Sequence, residues 1–208
     1  MTMPAGILRR AREEDGLSLV EVLTSVAMLM VVLVIFLTVL HSINRGVIVQ
    51  QERSVANDQA RLAVERLDRE VRSANILYDP AGETLANYSF RIYTQANATT
   101  RTPPTQCVQW QITAGRELQR RSWPPGVPGS VSAWSVVAEE IVNRDLSPAV
   151  PAFVIPDPAA ARTVDVTFMV DIDPTDASQR TVRIETSLTG RNTSYGFPTD
   201  VCSPVPAG

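Results

Sequence analysis

Lysine is absent from this 208-residue chain, and histidine and cysteine are nearly so. All 19 basic residues are arginine, the one histidine is His41, and the two cysteines are Cys107 and Cys202. With no C-x-x-C spacing and no histidine after position 41, a zinc site of the usual ligands cannot be built in the C-terminal part, nor can a nucleophile paired with an imidazole base. The formal net charge of −3 lacks the basic surplus of a general nucleic-acid binder. Apolar residues make up 44%, too many for a disordered chain. Only one apolar stretch reaches membrane length, which excludes a multi-pass architecture.

That stretch is the most marked feature present. Leu17–Leu40 holds 24 residues with a single charge, Glu21, whereas residues 45–208 carry 34 of the 41 charged residues. As a helix it would extend ~36 Å at ~1.5 Å per residue, enough to span a bilayer. It is longer than the apolar core of a cleavable secretory signal, so a signal-anchor helix is the plain expectation. Arg9, Arg10 and Arg12 precede it, and the positive-inside rule then puts residues 1–16 in the cytoplasm and the rest beyond the membrane. The expected location is the cytoplasmic (inner) membrane, crossed once.

No proline occurs between Ala5 and Asp79, and residues 41–79 read as a continuation of the same helix. Ala60, Val64, Leu67, Val71 and Ala74 form an apolar stripe at spacings of four and three. Arg61/Glu65, Glu65/Arg69, Arg66/Glu70 and Asp68/Arg72 are opposite charges at i,i+4 on the other surface. Asp79–Pro80 is the expected end of the helix. From there 14 of the 15 prolines follow, and alternation predicts strands at Tyr88–Tyr93, Cys107–Thr113, Glu117–Trp123, Thr163–Ile172 and Thr181–Leu188. The last two make an antiparallel pair, and Gly115 is expected to turn the second strand into the third. Stripe and strand faces need one another to be buried. The fold class is therefore α+β: one long N-terminal helix, embedded in the membrane over its first half, packed through its second half on a small antiparallel β-sheet. Four segments follow: a leader (1–16), a transmembrane half-helix (17–40), an amphipathic outer half (41–79) and a β-rich head with proline-rich loops (80–208). The terminal SPVPAG is expected to be loose.

Cys107 and Cys202 both lie on the exported side, where a disulfide is permitted; pairing would tie the tail to the sheet, and two free thiols are the alternative. Arg120, Arg121 and Trp123, near Trp110, could form a cation-and-aromatic patch for single-stranded DNA, though edge arginines and a core tryptophan account for the same letters. Asp171, Asp173 and Asp176 lack the central glycine and terminal glutamate of a calcium loop and read as a solvated turn. No metal, no cofactor and no catalytic residue is expected, and the chain reads as a non-enzyme.

Glu21 lies five residues into the span. An acid near the centre of a membrane helix costs about 2.5–3.5 kcal/mol and less near an end. It either sits at headgroup level or has a partner, and an α-amino group freed by a cut after Gly16 would be one, cationic at neutral pH. The octet Gly16-Leu17-Ser18-Leu19-Val20-Glu21-Val22-Leu23, behind a short arginine-bearing leader and ahead of TSVAMLMVVLVIFLTVL, resembles the processing and methylation signal of type IV prepilins and type II secretion pseudopilins. The run QARLAVERLDREVRSANIL and the strand CVQWQI with its return RELQRR are similar to the large minor pseudopilins of the J kind and the PilW-like minor pilins. The resemblance implies cleavage by a prepilin peptidase between Gly16 and Leu17 and N-methylation of Leu17. It implies that Glu21 engages a neighbouring subunit's N-terminus during assembly. The partners implied are other pilin or pseudopilin subunits and an inner-membrane assembly platform; nucleic acid is not expected. The implied function is a minor subunit that primes or caps a type IV pilus or a type II secretion pseudopilus. The competing expectation is a membrane-anchored binding protein with an uncleaved anchor.

Overall fold

The computed structural model describes residues 18–95, 104–158, 160, 162–172, 181–191 and 198–207, with side chains left out over 45–54. Its first element is the helix α1, Leu19–Arg72. The chain divides into two units, residues 1–48 and 49–208. In the first unit every described side chain is exposed, from Leu19 to Asn44. That segment is long and apolar enough to cross a membrane.

The second unit has its own core. There α1 buries Ala56, Ala60, Ala63, Leu67 and Val71, an i, i+4, i+7 stripe that faces the sheets. Val64 is only half-buried, so the stripe runs through Ala63 at that turn. The helix ends at Arg72, seven residues before the expected stop at Asp79. Its last carbonyls are taken up locally, as any helix C-terminus requires. Ser73 donates its N–H and its hydroxyl to the Arg69 carbonyl (3.2 and 2.9 Å), the Thr94 hydroxyl donates to Glu70 (2.8 Å), and the Arg191 N–H to Arg72 (3.4 Å). Ile76 and Leu77 then pair with Tyr93 and Ile92 as a short strand.

Five strands form an antiparallel meander in chain order: β1 (Ile76–Leu77), β2 (Ser89–Gln95), β3 (Thr105–Ile112), β4 (Leu118–Trp123) and β5 (Ser135–Ala138). A second antiparallel sheet holds β6 (Phe153–Val154), β7 (Thr163–Asp171) and β8 (Thr181–Thr189). The five strands expected from alternation are all present, and β7 pairs with β8 as expected. β1, β5 and β6 are too short to show alternation. Because side chains alternate across a strand, Phe90, Ile92, Val108, Trp110, Ile112 and Leu118 all reach the core shared with α1, as do Val164, Val166, Phe168 and Val170 of β7. Phe153 joins the two sheets, stacking on Phe90 at 5.5 Å and meeting Phe168 edge-on at 5.9 Å between centroids. The β3–β4 turn differs from expectation in detail. Its left-handed residue is Arg116 (φ 64°), not Gly115.

The C-terminal tail is not loose. Pro206 is buried, and its carbonyl and that of Ala207 accept from Arg121 at 2.7 and 3.1 Å.

Candidate functional site

Of the residues the sequence singles out at the junction, Gly16 and Leu17 lie outside the described residues. Glu21 lies in the first turn of α1. Its N–H donates to the Ser18 carbonyl (2.8 Å) and its own carbonyl accepts from the Thr24 hydroxyl (3.0 Å). Its side chain is exposed, as are its apolar neighbours Val20, Val22 and Leu23. Among the described residues no cation pairs with its carboxylate. His41 is likewise exposed on the apolar segment. A lone carboxylate in an exposed apolar segment of membrane length needs either the membrane interface or a cation from outside the segment.

Cys107 and Cys202 are joined as a disulfide, with Cα atoms 5.6 Å apart. Both are fully buried beside Tyr93 and Trp123, on the face of the five-stranded sheet away from α1. Two further contacts hold the tail there. The Cys202 N–H donates to the Tyr78 hydroxyl (3.2 Å) and the Cys202 carbonyl accepts from Arg91 (3.1 Å), while Arg91 itself lies over the Tyr78 ring at 4.1 Å. Glu83 faces Arg91 at 3.0 Å with its side chain 3% exposed. Burial raises the Glu83 carboxyl above its ordinary range, against the opposing pull of the Arg91 charge and hydrogen bond. Burial also raises the Tyr78 phenol.

The arginine–tryptophan patch considered for nucleic acid is not a surface. Trp110 is fully buried and Trp123 almost so. Arg121, 4% exposed, grips Gln109 Oε1 through Nε and Nη2 (3.0 and 2.8 Å), besides the tail carbonyls, and lies over the Trp134 ring at 4.2 Å. Arg120 turns to the opposite face and meets Glu70 of α1 at 2.8 Å. Its neighbour Trp110 donates Nε1–H to the other Glu70 oxygen at 2.8 Å. Glu70 is therefore the clasp between helix and sheet. The sequence offers it only as half of an i,i+4 pair with Arg66, which sits at a looser 3.8 Å.

Asp171 is buried at the end of β7 and faces Arg116 at 3.5 Å; Asp145 and Glu140 also approach that guanidinium, at 2.7 and 3.6 Å. It serves the β3–β4 turn rather than a solvated one; Asp173 and Asp176 lie outside the described residues. Among those residues no group of three metal-ligating side chains occurs.

A long N-terminal helix, apolar at its start and packed on small antiparallel sheets through its later part, is compatible with pilin-like architecture in general. In comparison with known proteins, no family model and no curated protein matches the chain.

Proposed function

We propose that the chain is a minor pilin or pseudopilin: a non-enzymatic, single-pass subunit anchored in the inner membrane, with its head outside, that primes or caps an envelope filament. A prepilin peptidase removes residues 1–16 by cutting between Gly16 and Leu17, and the new amine of Leu17 is methylated. Glu21 then pairs with the ammonium of an adjacent subunit as the assembly platform moves that subunit into register. One observation carries this reading. Glu21 is the one carboxylate, and it is exposed, in the apolar first part of α1, Leu19–Asn44, four residues beyond the first apolar position. In a low-dielectric surrounding its attraction to an ammonium is many times what it is in water, so the pair selects one stagger of neighbouring helices.

The test is the N-terminus of native protein extracted from membranes, together with the variant Glu21→Ala. Methylated Leu17 is expected as the first residue. Glu21→Ala is expected to insert and be cleaved normally, since a desolvation cost is removed, yet not to co-purify with other subunits. An intact leader would make the segment an uncleaved anchor. Co-purification of Glu21→Ala at the wild-type level would reduce Glu21 to an interfacial residue. Either result overturns the proposal.

A further inference from the structure

β8 is the outermost strand of its sheet, nine residues long and in unbroken register with β7. That is longer than most strands, and it has neither a proline nor a bulge; its guards are the charges of Arg183 and Glu185. The Gly190 N–H donates to the Arg162 carbonyl at 2.8 Å, and hydrogen-bonded pairs alternate along an antiparallel ladder. The bonded partners of β7 are consequently Val182, Ile184, Thr186 and Leu188. The N–H and C=O groups of Thr181, Arg183, Glu185, Ser187 and Thr189 point to the open side, where no described residue pairs with them. The odd-numbered side chains from Arg183 to Thr189 are exposed, and Ile184 is half-buried on the other face.

We propose that this edge is a self-association surface, on which a second copy of the chain adds its own β8 antiparallel about a two-fold axis through Ile184. Charge selects the occupant and the register. Hydrogen bonding requires odd residues to oppose odd residues. Centring the pair on Glu185 gives the greatest overlap but sets Glu185 against itself, and centring on Arg183 sets Arg183 against itself; like charges directly opposite are destabilising. Centring on Ile184 sets Arg183 of each copy against Glu185 of the other, twice, with Thr181 opposite Ser187. Ile184 then meets its own copy on the half-buried face, which adds an apolar contact. Within one chain Arg183 and Glu185 already lie 3.0 Å apart, with side chains 56% and 59% exposed. Both are free to extend into a four-charge array. This surface does not depend on the fate of Gly16 or Glu21.

The experiment measures the mass of the full-length protein in detergent micelles over a dilution series. The wild type is expected to be a monomer–dimer equilibrium. Arg183→Glu or Glu185→Arg alone turns both attractive pairs repulsive and should weaken association about tenfold or more. Mixing the two variants should restore a heterodimer, and the double variant Arg183→Glu/Glu185→Arg should restore the homodimer. Recovery on mixing also excludes misfolding as the cause of the single-variant loss. Dimerisation of both single variants at the wild-type level would place the contact elsewhere, on the apolar helix. Failure of the mixture to recover, or a monomeric wild type, would equally overturn the proposal and leave the edge to a strand from another protein.

Discussion

Glu70→Ala removes one carboxylate from the interface of helix and sheet, and the cost can be worked from what that carboxylate touches. Trp110 is fully buried and has Glu70 Oε2 as its acceptor at 2.8 Å; a buried donor left without a partner costs about 1–3 kcal/mol. Arg120, with its side chain 11% exposed, loses its partner at 2.8 Å. Breaking a fully buried pair by deleting one member costs about 3–5 kcal/mol, and residual solvent access lowers that figure. Arg66 adds to the penalty. Burial and the Arg120 charge lower its pKa, and Glu70 works against them, so without Glu70 two guanidiniums face each other uncompensated. The two losses share one carboxylate and do not add, which gives about 3 kcal/mol for Glu70→Ala. Glu70→Gln keeps an acceptor for Trp110 while surrendering the charge, and should cost about 1–1.5 kcal/mol. Glu65→Ala, exposed on the same helix, should stay within about 0.5 kcal/mol of wild type. The assay is denaturant unfolding of the full-length protein in micelles, followed by tryptophan fluorescence, since Trp110 reports on this contact. A Glu70→Ala protein within about 0.5 kcal/mol of wild type would refute the clasp. So would a Gln variant as damaged as the Ala variant.

Two other perturbations act on the opposite face of the sheet. Cys202→Ser opens a closure of 95 residues, worth about 4.6 kcal/mol in the chain-entropy account. The grip of Arg121 and Arg91 on the tail persists, so a loss of about 2–4 kcal/mol is expected, with new protease cleavage between residues 198 and 207; unchanged stability and protection would contradict it. Glu83→Gln should alter the pH dependence of stability. Burial raises the Glu83 carboxyl in the folded state, so its contribution is full below the unfolded value, about 4.3, and is lost as pH rises through the higher folded value. Melting temperatures should show wild type losing ground to Glu83→Gln as pH rises above the unfolded value of about 4.3, and a constant difference would count against the buried pair.

Periodicity carries most of what could be read in advance. The longer strands alternate over six or more residues, and the helix stripe recurs over several turns, so both leave a local trace. The helix end does not. Ala74 and Leu77 are buried like the stripe before them and continue its spacing, so the pattern runs on smoothly through Arg72. Only pairing of Ile76 and Leu77 with a strand some sixteen residues later ends the helix, and that information is not local. Arg116 in the left-handed position is illegible for a different reason. A glycine stands beside it, and the ion pairs that hold Arg116 there come from residues 29 and 55 positions away. Glu21 is the easiest candidate to find, because a charge inside an apolar run needs no knowledge of the fold.

The clasp at Glu70 also shows why a stripe so poor in large side chains can serve as the helix's packing face. Three of its five members are alanines, which contribute little apolar area on their own. Their small side chains let the sheet supply the bulk instead, and Trp110, Phe90 and Ile92 are all fully buried beneath them. Such an interface is close-packed but weak in orientation, because alanine surfaces offer few knobs to fix rotation or slide. Directional bonds in the last turn supply what is missing. Glu70 binds two neighbouring residues of adjacent strands, Trp110 and Arg120, which are direct cross-strand partners, and Thr94 bonds the Glu70 carbonyl from the strand on the other side of Trp110. Three strands thus converge on one helical residue. The same letters that look like solvent-facing i,i+4 decoration set the register between the helix and the meander.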